Sequence, residues 1–226
     1  MFTFVKNKIM NDVIANIIEN TKKFVKQKLE KAEAGHDYWH ILRVLRLSEK
    51  IAQKEGGNLL IVQLGALLHD IADAKFHQGD EQIGPQIARE YLLSQNVSND
   101  IIEPIIRIIE NISFKNSFEG QNYSSLELQI IQDADRLDAI GAIGIARAFI
   151  YGGYKNNPIY DPELKPNLKM DKETYKKGNT TTINHFYEKL LKLKNMMNTS
   201  TGKQIAEDRH RFMLQFLEQF YREWDI

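Results

Sequence analysis

Six histidines, several closely spaced aspartates and no cysteine define the chemistry open to this chain. The pair His69-Asp70 ends the apolar run Leu59 to Leu68. A metal ion needs a neutral imidazole nitrogen and a carboxylate oxygen delivered to one point, and this pair offers both from one rigid element. An earlier histidine, His40, and a distant aspartate, Asp135, complete a candidate set of His40, His69, Asp70 and Asp135. Two imidazoles and two carboxylates suit a mid-row divalent ion such as manganese or iron, with cobalt and zinc also compatible. Such an ion lowers the pKa of a bound water and polarises a phosphoryl oxygen, which together permit hydrolysis near neutral pH. His36 and His40 lie one helical turn apart, so they could hold an ion themselves, or one could be a ligand and the other a supporting or capping residue. A histidine at a helix C-terminus is also favoured by the helix dipole, so the dipeptide alone does not decide.

The elements that must position these groups read as helices throughout. Leu59 to Leu68 is apolar almost all round, which places it at the centre of a bundle. The helix before it opens near Gly35-His36-Asp37 and runs to about Glu55, where Gly56-Gly57-Asn58 stops it and caps the next. Ile14 to Lys31 reads as a pair of amphipathic helices broken at Asn20-Thr21. Gly79 to Gln95 is a further helix, with Pro85 at a start or kink. Asn99 to Asn111 follows, with Pro104 near its first turn. From Leu126 the wheel puts Leu128, Ile131, Asp135, Asp138 and Ala139 on one face. A carboxylate continuing an apolar stripe requires a partner, which an arginine or a metal would supply. Tyr151 to Thr182 breaks every periodicity and reads as a long irregular loop, the kind that is usually functional or mobile. Thr182 to Asn195 reads as one amphipathic helix carrying Lys189, Lys192 and Lys194. The closing helix spans Thr201 to Trp224, with Ile205, Phe212, Phe216, Leu217 and Phe220 as its apolar side.

Composition narrows the function classes. The 226 residues carry 30 Lys+Arg and 30 Asp+Glu, and this balance argues against general nucleic-acid binding. Without cysteine, any metal is held by histidine and carboxylate. Met1 to Met10 is too short, and too interrupted by Lys6 and Lys8, for a signal peptide. No apolar run approaches a membrane span, so the expected location is the cytoplasm.

Beyond these spacings, the sequence resembles a known family. His40, His69-Asp70 and Asp135 match the H…HD…D signature of the HD-domain metal-dependent phosphohydrolases. The segments 35–44 (GHDYWHILRV), 67–73 (LLHDIAD) and 133–147 (DADRLDAIGAIGIAR) are similar to one bacterial subgroup, as are 185–193 (HFYEKLLKL) and Thr201-Gly202-Lys203. The resemblance covers about residues 20–224 and leaves Met1 to Glu19 and much of the loop before Thr182 unmatched. It implies an all-α HD-domain bundle, a single domain over 1–226 with an irregular loop near 151–181. It also implies pyrophosphohydrolysis of nucleoside triphosphates to monophosphate and pyrophosphate, with a nucleoside 5′-monophosphatase as the alternative. A metal-binding or nucleotide-sensing module with weak catalysis is the second alternative. On this resemblance His40, His69, Asp70 and Asp135 are the ligands of a divalent ion, manganese foremost, with iron, cobalt, magnesium, nickel or zinc as substitutes. Asp73 occupies the place of a water-orienting acid. Some branches carry further histidines where this chain has Asn111, a departure from the branches that hold a second metal there. Arg43, Lys75 and Lys192 are the cations expected to meet phosphate oxygens, which need fixed charges or donors. The expected partner is a small phosphorylated molecule, a nucleotide, with no membrane; a homo-oligomer is compatible with all of this.

Overall fold

The computed structural model describes residues 2–30, 37–71, 82–112, 123–168 and 180–224. Among these residues the regular elements are all helical. The chain divides into two compact units, Met1–Ile131 and Gln132–Ile226, and the division falls inside one unbroken helix.

The first unit contains α1 (Phe2–Lys28), α2 (Tyr38–Glu55), α3 (Leu59–Leu68), α4 (Ile83–Ser94), α5 (Asn99–Asn111) and the start of α6 (Leu126–Asp138). Its centre is α3, packed by α1, α2 and α5. Gly56 and Gly57 take φ of +90° and +94°, a region that favours glycine, and this ends α2. The Asn58 side chain then accepts from the amides of Leu60 and Ile61, capping α3. Val62, Leu64, Leu67 and Leu68 are wholly buried, each contributing on the order of 1.5–3 kcal/mol. A Cβ at Gly65 would stand 2.7 Å from Cδ1 of Ile131, so the missing side chain allows α3 and α6 to approach closely.

Two readings of this unit need correction. Asn20-Thr21 does not break α1, because the buried Thr21 hydroxyl donates to the Ile17 carbonyl at 2.7 Å and so satisfies itself within the helix. Tyr91 donates to the same hydroxyl at 3.2 Å and stacks on Phe24. Pro104 lies inside α5 as its sixth residue, just past the first turn, where it withholds the amide that the Asp100 carbonyl would accept. Pro85 does sit in the first turn of α4, where proline is tolerated.

The second unit contains the rest of α6, α7 (Gly141–Tyr154), α8 (Thr182–Glu188), a 3₁₀ helix (Leu190–Met196) and α9 (Ser200–Trp224). The segment 155–168 has turns but no helix, and 169–179 lie outside the described residues. The irregular stretch begins later than its sequence indicates, since α7 continues through Gly152-Gly153. A Cβ at Gly152 would fall 2.1 Å from Oγ1 of Thr182, so this glycine serves close packing of α7 on α8. Nor is Thr182 to Asn195 one helix. The α-helix stops at Glu188, a buried carboxylate that accepts from the Asn167 amide and the Thr180 hydroxyl. The tighter helix that follows aligns Leu190 and Leu193, three residues apart, on its buried side. On α9 the buried line is Ala206, Met213 and Leu217. Phe212, about 100° around the helix from Met213, is 48% exposed and does not belong to the apolar side.

Candidate metal centre

Local structure fixes each imidazole. Asp37 caps α2 by accepting from the amide of His40 at 2.8 Å, which sets His40 in the first turn with 1% of its surface exposed. His69 follows the last residue of α3, still helical at φ −59° and ψ −30°. Its Nδ1 lies 2.8 Å from the Ala66 carbonyl oxygen. A carbonyl only accepts, so Nδ1 carries the proton and Nε2 keeps the lone pair that a ligand needs. The two rings meet edge to face, their centroids 5.4 Å apart.

The carboxylate comes from α6. One ligand atom from each of His40, His69 and Asp135 lies within 4.8 Å of the others. Two imidazoles that are almost fully buried and a half-buried carboxylate make a donor set that fits a mid-row divalent ion. Asp70 adjoins His69 and is half-buried, but the grouped atoms among the described residues are those of His40, His69 and Asp135. Arg43 lies three residues after His40 on α2, half-buried. Lys192, on the 3₁₀ helix, donates to the Leu168 carbonyl at 2.9 Å. Asn111 ends α5 and donates to the Arg107 carbonyl. His36, Asp73 and Lys75 lie outside the described residues.

The sequence reading assigned no role to the neighbours of Asp135 on α6. Asp133 is fully buried, and Asp138 is buried and paired with Arg147 at 2.7 Å. Arg136 donates to the Met196 carbonyl at 2.5 Å, and Arg209 donates to the Leu137 carbonyl. Burial lowers the pKa of both arginines, with nearby aspartates opposing the shift. Their signal in the sequence is the density of charge within Asp133-Ala134-Asp135-Arg136-Leu137-Asp138 on an otherwise apolar helix.

With this geometry in place, residues 38–140 match the family model of the HD domain. The chain belongs to the HD-domain family and is a metal-dependent phosphohydrolase. It is 36% identical over 208 residues to the uncharacterized protein YpgQ of Bacillus subtilis (strain 168), covering 91% of this chain and 92% of YpgQ. Among solved structures, a Lactobacillus plantarum protein superposes with a TM-score of 0.79 at 44% identity, covering 92% of this chain and 96% of that one. An HD-superfamily hydrolase from Bacillus thuringiensis superposes with a TM-score of 0.76 at 42% identity, covering 94% and 98%. B. subtilis YpgQ in complex with ADP superposes with a TM-score of 0.71 at 33% identity, covering 93% and 96%. No helix among the described residues is long and apolar enough to cross a membrane.

Proposed function

We propose that this protein hydrolyses nucleoside triphosphates to the monophosphate and pyrophosphate, using manganese held by His40, His69, Asp70 and Asp135. The observation that carries the nucleotide reading is YpgQ, similar over almost the whole chain and solved in complex with ADP. A divalent ion bound here would polarise a phosphoryl oxygen and make a water acidic. His69, its Nδ1 engaged by the Ala66 carbonyl, keeps Nε2 as the nitrogen free to serve as a ligand. Asp73 orients the attacking water and takes its proton. Arg43, Lys75 and Lys192 hold phosphate oxygens, so that the β and γ groups leave as one unit. Such a substrate belongs to the cytoplasm.

The test is incubation of manganese-loaded protein with a panel of nucleoside mono-, di- and triphosphates, resolving pyrophosphate from phosphate. The expected result is one pyrophosphate for each monophosphate formed from a triphosphate. Phosphate released from monophosphates alone would instead establish a 5′-monophosphatase, and metal uptake without turnover of any nucleotide would leave a sensing module.

A further inference from the structure

We infer that Asp133 is a positioning residue for Asp135, acting through Asn198 and Thr199 at the start of α9. The inference rests on the metal-centre reading above and adds to it how α6 is held. Both oxygens of Asp133 are fully engaged although the residue is wholly buried. Oδ1 accepts from the Asn198 amide at 2.8 Å and from the Asn198 side chain at 3.1 Å. Oδ2 accepts from the Thr199 amide at 2.8 Å and from the Thr199 hydroxyl at 2.7 Å. The site is built to receive this carboxylate: a Cβ at Gly202 would stand 2.3 Å from Oδ2, so the first turn of α9 carries no side chain there.

Capping alone does not account for a charge buried at this point, where the Arg136 guanidinium also lies 3.8 Å from Oδ1 of Asp133. Thr199 already caps α9, accepting from the Gly202 amide at 2.9 Å. Burying a carboxylate is costly unless it is fully hydrogen-bonded, and a neutral side chain would serve a cap at lower cost. Four converging donors on an ion instead fix α6 in rotation and along its axis, since charge-assisted bonds are short and strong. Other anchors act on the same turn: Arg136 on the Met196 carbonyl, Arg209 on the Leu137 carbonyl, and Arg147 on Asp138. The residues at −2, +1, +2 and +3 from Asp135 are thus each tied to another part of residues 132–226. Asp135 is the residue between them whose carboxylate joins the histidine cluster. A helix rotates about 100° per residue, so a small slip of this turn would carry that carboxylate away from the imidazoles.

The experiment is calorimetric titration of the metal-free full chain with manganese, at a temperature where every variant is folded. Asp133→Asn keeps the shape and removes the charge, and it is expected to weaken manganese binding about tenfold or more, as loss of a ligand's support typically does. Thr199→Val is expected to weaken binding in the same direction, whereas Thr199→Ser keeps the hydroxyl and should bind within about twofold of wild type. Met213→Ala, a cavity in the buried face of α9 about four helical turns beyond Thr199, controls for general destabilisation and should leave affinity unchanged. Should Asp133→Asn not fold, the two Thr199 variants decide the matter. Manganese affinity unaltered in Asp133→Asn and Thr199→Val would overturn the inference, as would an equal loss in Met213→Ala. Wild type and Asp135→Ala in the same series separate the two levels: no uptake by wild type, or full uptake by Asp135→Ala, would overturn the metal centre itself.

Discussion

The Nδ1 atom of His69 lies 2.8 Å from the carbonyl oxygen of Ala66, three residues earlier. A backbone contact of this kind fixes both the tautomer and the plane of the ring, so the imidazole is oriented before any ion arrives. The same relationship explains why the His-Asp pair stands at the very end of an apolar helix. The last turn of α3 leaves carbonyls without intrahelical donors, and His69 takes one of them.

Metal content after dialysis, measured by elemental analysis, tests the ligand set. His69→Ala, Asp70→Ala and Asp135→Ala are each expected to lose stoichiometric manganese, because each removes a proposed ligand. His36→Ala should keep it. A full equivalent retained by Asp70→Ala would reduce the set to the three residues that the structure groups.

Asp73→Asn separates chemistry from metal retention. The variant should hold its metal and lose turnover by roughly 10²–10⁴-fold, the contribution of a positioned acid or base. Turnover near that of wild type, at saturating metal, would remove Asp73 from the mechanism.

Adjacent glycines near the end of α7 should respond in opposite senses. A Cβ at Gly152 meets Oγ1 of Thr182 at 2.1 Å, so Gly152→Ala is expected to cost about 1–3 kcal/mol through overpacking. Gly153 has nothing within 4 Å of the same position, and Gly153→Ala should gain up to about 1 kcal/mol from helix propensity. Urea unfolding of both variants measures the pair; equal effects would contradict the packing of α7 on α8.

His185 predicts an acid sensitivity. Burial, and then the charge of Lys189, lowers its pKa to about 3. Unfolded histidine titrates near 6.5, so between these values the unfolded chain binds more protons than the folded one. The stability linked to this group is therefore complete above about pH 6.5 and declines as the pH falls. Its slope is at most about 1.4 kcal/mol per pH unit, and less where solvent reaches the ring. His185→Gln should flatten that part of the profile. Thermal unfolding of both proteins from about pH 7.5 down to about pH 4.5 checks it, and parallel profiles would refute it.

The sequence alone determined the helical class and the central helix Leu59–Leu68 with its cap at Asn58, and it supplied His40, His69 and Asp135 as candidate ligands, which the structure groups with one another. These follow from local rules. Apolar periodicity, a glycine pair followed by asparagine, and donor types matched to a divalent ion are all written along the chain. Tertiary structure decided what depends on partners distant in sequence. Asn20-Thr21 looks like a break until Tyr91, 70 residues further on, donates to the Thr21 hydroxyl. Gly152-Gly153 looks like the start of a loop until Thr182 packs on it. The second aspartate of Asp133-Ala134-Asp135 carries the same chemical label as the first, yet one serves the cluster and the other is consumed by Asn198 and Thr199. A helical repeat says which way a side chain points. Only the folded chain says which donors, 65 and 66 residues further on, are waiting there.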